Sequence, residues 1–429
     1  MRITILTIGT RGDVQPFVAL GLGLQQAGHT VQLAAPAIFE SFVRSYGLNF
    51  APLCYDPHNF MAGEQGQAHL KSGQNPIAMS LEWIKSFRPF IERFLAESWS
   101  ICQGTEAIIC SVWHFGGVHI AEKLEIPCYL ADVHPLSPTQ EFPIFISPQG
   151  LRLGSAYNQL TYKLVEESFW QLIRPAINQW RVDTLGLPAL PRFGAGTALG
   201  RNRLPILCHY SPSVVPKPAD WSDLNHITGY WFMDKSSDWQ PPVDLVNFLA
   251  TGQPPVYVGF GSMFSHDPEA LASLVVKALA LSGQRGILVT GWGGLSNADL
   301  PDSVFKIDAI PHDWLFPQVA AVVHHGGAGT TGAGLRAGVP SVLVPFFADQ
   351  PSWGHRVADL GVGTAAIPLK QLSAERLAAA IQIAVTNEAM KTRARALGRQ
   401  IQAEDGVARA VEVFHQYLPQ EFKPQFASI

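Results

Sequence analysis

Residues 304–352 read VFKIDAIPHDWLFPQVAAVVHHGGAGTTGAGLRAGVPSVLVPFFADQPS, and the order of residues in this stretch decides the fold. The run Val319 to Val323 is short, apolar and valine-rich, and it leads directly into His324-His325-Gly326-Gly327-Ala328-Gly329-Thr330-Thr331. That order predicts a buried strand, a tight turn and a helix starting at about Thr330. Glycines at 326, 327 and 329 let main-chain N–H groups approach an anion closely, and the helix that follows points its positive end at it. Thr330 and Thr331 add hydroxyl donors, and His325 adds a ring N–H. Ala337-Gly338-Val339-Pro340 closes the helix, Ser341 to Pro345 reads as the next parallel strand, and Asp349-Gln350 falls on the loop beyond. Loops after strand C-termini line the ligand crevice of an open α/β sheet, so His325, Thr330, Asp349 and Gln350 are expected to converge there. A lone glycine-rich turn closes many βα units and binds nothing. Here the histidines, the threonine pair and the Asp-Gln pair all fall on one expected face.

Working outward, a chain of 429 residues exceeds what one hydrophobic core serves, so two domains are expected. Hydrophobic residues make up 47% and charged residues 15%, which leaves neither half with the composition of a disordered chain. A net charge of −4 gives no general pull toward nucleic acid or anionic lipid. The five cysteines, Cys54, Cys102, Cys110, Cys128 and Cys208, form no CxxC pair, and their odd number argues against a disulfide framework. A reducing, cytoplasmic setting is expected. No continuous apolar stretch reaches the roughly 18 residues a membrane span needs, and Ile3 to Ile8 is too short for a secretory core.

The N-terminal half opens with strand 2–8, a turn through Gly9-Thr10-Arg11-Gly12-Asp13-Val14-Gln15-Pro16, a helix from Phe17 to Ala27 and a strand from Thr30 to Ala35. This is a βαβ unit, the start of a Rossmann-like half. Gly9 and Gly12 lack the GxGxxG spacing and no acid ends the second strand, so nicotinamide binding is not expected. Asp13 lies where a carboxylate could take the proton of an attacking hydroxyl. The same position suits a helix cap, and the residues alone leave both roles open. His114 and His134, on loops after later strands, are the alternative bases. Trp83, Ile84, Phe87, Phe90, Ile91, Phe94, Leu95 and Trp99 recur at helical spacing and read as core packing, with an apolar acceptor wall or a membrane-facing surface as the alternative.

A proline-rich polar stretch at about 217–241 reads as a linker. Domain limits of 1–216 and 242–410 follow, with 411–429 expected to return to the first domain. The second half restarts with strand and turn Val256 to Met263, helix Pro268 to Ser282 and strand Gly286 to Thr290. Ser262 is a candidate phosphate contact, and Trp292, after the next strand, a candidate wall of the same site.

His324 to Pro351 resembles the donor-binding signature of the family-1, nucleotide-sugar-dependent glycosyltransferases. Pro311-His312-Asp313-Trp314-Leu315-Phe316-Pro317 and Pro345-Phe346-Phe347-Ala348-Asp349-Gln350-Pro351 are most similar to the sterol glucosyltransferase branch and to bacterial relatives acting on lipids and antibiotics. The resemblance implies GT-B, an α/β fold of two Rossmann-like domains with parallel sheets facing across a cleft. It implies an inverting transfer of a hexose, glucose above others, from UDP-glucose to a hydroxyl of a hydrophobic acceptor such as a sterol, lipid or polycyclic natural product. Asp13 falls where the plant branch has its catalytic histidine, and an aspartate there resembles the sterol and antibiotic branches. In the plant branch an acid ending a later strand orients that histidine; the corresponding strand here ends in Ser111. The tryptophan that stacks uracil in plants corresponds to Ala309 and the ribose-binding glutamate to Ala333. The nucleotide is therefore expected to be held through its phosphates and the main chain around Ile310 to His312, with UDP preferred to dTDP.

The donor-site candidates are then Gly12, Ser262, Trp292, Ile310, His312, His325, Gly327, Ala328, Gly329, Thr330, Thr331, Asp349 and Gln350, with Asp13 as the base. Asp349 and Gln350 match the pair that binds sugar hydroxyls. Neither a metal nor a cofactor is implied, since Asp299-Leu300-Pro301-Asp302 has the wrong spacing for a DxD loop and His324-His325 lacks a third ligand. A sugar-nucleotide epimerase or hydrolase, a non-catalytic nucleotide-sugar-binding protein, and a peripheral membrane enzyme using a lipid acceptor are the competing readings.

Overall fold

Short β-branched runs ended by glycine or proline form two all-parallel sheets in the computed structural model, which describes residues 1–54, 90–147, 153–198, 200, 202–234, 239–260, 268–289 and 300–419. The first sheet comprises β1 (Arg2–Leu6), β2 (Thr30–Pro36), β3 (Asn49–Leu53), β4 (Ala107–Ser111), β5 (Cys128–Asp132), β6 (Ile206–Cys208) and β7 (Asn225–Ile227), in the order β3-β2-β1-β4-β5-β6-β7. The second comprises β8 (Val256–Gly259), β9 (Gly286–Val289), β10 (Val304–Ile307), β11 (Ala321–His324) and β12 (Ser341–Leu343), in the order β10-β9-β8-β11-β12. Each sheet grows one way from its first strand and then the other, so each has one switch point, between β1 and β4 and between β8 and β11. Ligands of open parallel sheets bind beyond the strand C-termini at such points.

The chain divides into one unit of Met1–Met233 with Asp405–Ile429 and a second of Asp234–Glu404. In the second unit β8, β11 and β12 are buried on both faces, as is usual in a parallel sheet. Val256, Val258, Ala321 and Val323 pack on Leu271, Val275, Leu377 and Ile381 of helices Pro268–Ser282 and Ala374–Thr386. Tyr257, Ile287 and Val322 face the opposite way, onto Leu245, Leu315 and Phe316. In the first unit the helix Gly406–Gln416 lies along the helix Arg11–Gln26: Gly23 leaves the room that Val407 fills, and the Tyr129 hydroxyl donates to the Phe414 carbonyl at 2.7 Å.

Two expectations change. The first helix starts at Arg11 rather than Phe17, taking Gly12 and Asp13 into its first turn and Pro16 inside it. The stretch expected to be a linker from 217 is folded into the first unit as far as Met233. It contributes β7, and Trp231 stacks on His209 with ring centroids 4.5 Å apart and meets Phe17 edge-on. Of the aromatic stripe, 83–89 lies outside the described residues; Ile91, Phe94 and Leu95 are buried, and Phe94 packs on His114 and Phe115. No helix among the described residues is long and apolar enough to cross a membrane.

Candidate functional site

The turn after β11 is built by its two histidines in different ways. His324 ends the strand fully buried, and its Nδ1 accepts the Gly326 N–H at 3.1 Å. Burial holds its pKa well below the usual histidine value, so the ring is a neutral acceptor that shapes the turn. Gly326 has φ +94°, and a side chain there would press on the Gln350 carbonyl and Leu343. His325 is 9% exposed and its ring lies over Gly327, where a Cβ would collide with Nε2. Among the described residues its buried Nδ1 has no hydrogen-bond partner. Burial pushes its pKa down to about 4, against a raising contribution from the Asp349 carboxylate, so at neutral pH the ring is uncharged and carries one N–H.

The helix that follows is Ala328–Ala337, with Gly327 at its N-cap, so it begins two residues before Thr330. Its first intrahelical bond runs from the Thr331 N–H to the Gly327 carbonyl at 2.9 Å. The amides of Ala328, Gly329 and Thr330 belong to the first turn, whose donors have no partner within a helix. Gly329 faces open space, with nothing within 4 Å of where its Cβ would stand. A neutral imidazole, three first-turn amides and a helix dipole at a sheet switch point form a cradle for an anion. Thr331 does not contribute its hydroxyl: fully buried, it donates to the Gly327 carbonyl at 2.9 Å.

Asp349 and Gln350 stand at the start of the helix Gln350–Asp359, beyond β12. The Asp349 carboxylate accepts the Trp353 indole N–H at 2.9 Å. Gln350 is buried, and its Oε1 accepts the N–H groups of Phe346 at 2.8 Å and Phe347 at 3.2 Å. Ile310 is buried beside Leu315 and Phe316. The half-buried His312 ring is stacked on Phe316 at 4.3 Å with Nε2 3.2 Å from the Tyr257 hydroxyl. Ser262 and Trp292 lie outside the described residues.

In the first unit Asp13 is half-buried at the N3 position of the helix Arg11–Gln26, at the switch point after β1. Its Oδ2 accepts the Thr10 N–H at 2.7 Å and the Thr10 hydroxyl at 3.1 Å, and its main-chain carbonyl accepts the Thr7 hydroxyl at 3.1 Å. Asp13 is therefore a helix cap, and the cap fixes where the carboxylate stands. Gly9, with φ +116°, has no room for a Cβ against that carboxylate. Gly12 is exposed in the same turn, and a Cβ there would stand 3.8 Å from the Thr10 hydroxyl.

The alternative bases separate. His114, expected on a crevice-side loop, is 1% exposed, bound to the Ser98 hydroxyl at 3.1 Å and tilted on Phe94; burial pushes its pKa to about 3, and it is a neutral core residue. His134 is held by a partner the sequence reading missed: buried Asp132, at the end of β5, lies 2.9 Å from its Nδ1 and accepts its main-chain N–H at 3.2 Å. The family resemblance points instead to the end of β4, one strand away, where Ser111 stands. Thr10 and Trp353 were missed as well, although Thr-x-x-Asp is a capping-box spacing and an Asp–Trp pair four apart shares a helix face. Among the described residues no group of three or more His, Cys, Asp or Glu side chains could hold a metal ion.

Comparison with known proteins bears on the family and the fold. Residues 3–143 match the glycosyltransferase family 28 N-terminal domain, and residues 291–413 match the erythromycin biosynthesis protein CIII-like, C-terminal domain. A sterol 3-beta-glucosyltransferase of Aspergillus clavatus is 42% identical over 97% of this chain, and one of Cryptococcus neoformans var. neoformans serotype D is 38% identical over 97%. The chain spans 30% and 27% of those proteins' lengths. Among solved structures, the glycotransferase of kitacinnamycin superposes with a TM-score of 0.71 at 20% identity, covering 97% of this chain and 99% of that one. CalG4, the calicheamicin glycosyltransferase, gives 0.70 at 18%, covering 97% and 98%. SsfS6 of Streptomyces sp. SF2575, solved with thymidine diphosphate, gives 0.65 at 20%, covering 97% and 99%. These neighbours share the GT-B fold.

Proposed function

We propose that this chain, which joins a glycosyltransferase family 28 N-terminal domain to an erythromycin biosynthesis protein CIII-like C-terminal domain on a GT-B fold, is an inverting hexosyltransferase. The donor in this reading is UDP-glucose and the acceptor a hydroxyl of a hydrophobic molecule such as a sterol. The observation that carries it is the anion cradle at the β8/β11 switch point, where a buried ring nitrogen of His325 has no hydrogen-bond partner among the described residues and the helix Ala328–Ala337 begins. A nucleoside diphosphate supplies the oxygens that such a site lacks.

The reaction that follows is a single displacement. The acceptor oxygen bonds to the anomeric carbon while the bond from that carbon to the diphosphate oxygen breaks. The electron pair leaves with the diphosphate, and the hydroxyl proton passes to Asp13. Thr10 holds one carboxylate oxygen of Asp13 in place through the transfer. The amides of 328–330 and the neutral His325 receive the charge that grows on the leaving diphosphate. No cofactor enters this scheme. Kinship with sterol 3-beta-glucosyltransferases supports glucose and a sterol, while the neighbour solved with thymidine diphosphate supports a pyrimidine diphosphate carrier. The test is incubation of the purified chain with UDP-glucose, dTDP-glucose and a panel of sterols and polycyclic alcohols, read by mass spectrometry, with the anomeric configuration of any product read by NMR. A hexose gained from UDP-glucose with inversion is the expected result. Hydrolysis or epimerisation of the donor without an acceptor would replace this reading.

A further inference from the structure

The turn at Ala348-Asp349 breaks two local rules at once. An aspartate at an N-cap ordinarily turns its carboxylate onto the first amides of its own helix, yet here the carboxylate makes no cap bond and is taken by the Trp353 indole N–H at 2.9 Å. The residue before it, Ala348, has φ +57°, a left-handed conformation that a residue with a Cβ adopts only when its surroundings force it. Departures of this kind gather at functional positions, because folding alone would remove them. Trp353 sits four residues along the same helix and is 4% exposed; helix side chains lean toward the N-terminus, which brings its ring edge back over Asp349. The Gln350 oxygen, meanwhile, is engaged by the Phe346 and Phe347 amides and so holds the turn together.

We propose that Trp353 is a positioning residue for donor recognition, whose indole N–H fixes the Asp349 carboxylate as the group that reads a hydroxyl of the transferred sugar. This rests on the reading of the cradle as a nucleotide-sugar site. A carboxylate only accepts hydrogen bonds, so the sugar offers a hydroxyl donor at the matching carbon. Sugars lacking that hydroxyl, or carrying it with the opposite configuration, leave a polar group poorly paired and are turned over more slowly. Discrimination among donors is therefore a property of the Asp349–Trp353 pair, whereas affinity for the nucleoside diphosphate belongs to the turn at 325–330.

The test compares wild type, Trp353→Phe, Asp349→Ala and the double variant with UDP-glucose, UDP-galactose and the 3-, 4- and 6-deoxy analogues of UDP-glucose. Val357→Ala, a buried position on the same helix that packs against Gly363, is the packing control. Trp353→Phe is expected to lower kcat/KM for UDP-glucose about tenfold, with the preference over the deoxy analogue falling in parallel and the affinity for UDP by calorimetry unchanged. In the Asp349→Ala background the same substitution is expected to add almost nothing, because the pair acts as a unit. The wild-type protein gives an independent readout: the 15N–1H signal of the Trp353 indole is expected to move on binding UDP-glucose and to stay in place with UDP. Full additivity, a preference unchanged in Trp353→Phe, or an indole signal indifferent to UDP-glucose would overturn the proposal. Transfer that persists in Asp349→Ala with its donor preference intact would overturn it by removing Asp349 from the sugar, leaving the transferase reading standing. Absence of transfer by the wild-type chain to any acceptor, with UDP unbound, would instead remove the reading on which it rests.

Discussion

Replacing His325 by leucine removes both ring nitrogens at nearly constant volume, and the structure sets the size of two opposite effects. In the unliganded protein the buried Nδ1 has no hydrogen-bond partner among the described residues, a condition that costs about 1–3 kcal/mol. Leucine lacks that penalty, so at pH 7 the variant is expected to unfold in guanidinium no more easily than the parent. A diphosphate oxygen that accepts the ring N–H forms a hydrogen bond to a charged group, about 1.5–3 kcal/mol. Its loss raises the dissociation constant for UDP by roughly 10- to 150-fold. Acid adds a third signature. Burial lowers the His325 pKa from 6.5 to about 4, so between those values the unfolded chain holds a proton that the folded chain does not. Stability from this group is present above pH 6.5 and is lost as the pH falls toward 4, at up to about 1.4 kcal/mol per pH unit. Calorimetric titration with UDP at pH 7, with denaturant melts at pH 7 and pH 4.5, reads all three quantities. The variant should bind UDP at least tenfold more weakly and lose less stability on acidification. Undiminished UDP affinity would place the diphosphate elsewhere and refute the cradle.

Three further outcomes are expected. His134→Gln should keep turnover within a few-fold of wild type, because the Asp132–His134 pair is not the base in this scheme; a loss near that of an Asp13 variant would transfer the role to that pair. Thr10→Ala should cost about 1 kcal/mol of stability by thermal melt, through the lost cap partner, and lower turnover by loosening Asp13; unaltered turnover would show that the cap does not position the carboxylate. Gly326→Ala, forced into a left-handed conformation against the Gln350 carbonyl, should destabilise by about 1–3 kcal/mol and weaken UDP binding; a neutral melt would contradict the constraint.

Where local chemistry decides, the residues announced the structure. The helix Pro268–Ser282 is bounded by a proline and by Gly283, and the turn after β11 by three closely spaced glycines. β7 escaped notice because Asn225–Ile227 is too short to show a period, and the prolines before it suggest a loop. The early start of the first helix was masked by Gly12 and Pro16, both helix breakers in isolation, while the bond from Thr10 to Asp13 secures that turn. Thr331 and Thr330 look alike in the chain, and only burial shows that the first has spent its hydroxyl on the Gly327 carbonyl. His324 and His325 likewise diverge through packing: the first accepts the Gly326 main-chain N–H, and the second lays its ring over Gly327 with no hydrogen-bond partner for its Nδ1 among the described residues. Asp132 pairs with His134 at a strand end where no family pattern directs attention.

The central claim is that the turn at 325–330 holds a nucleotide diphosphate while Asp13 frees the attacking oxygen. Its most direct test is single-turnover transfer from UDP-glucose to a sterol by Asp13→Asn beside wild type, with UDP affinity measured on the same samples. Turnover on the order of a hundredfold lower, with UDP affinity unchanged, is the predicted result. Equal rates in the two proteins would contradict it.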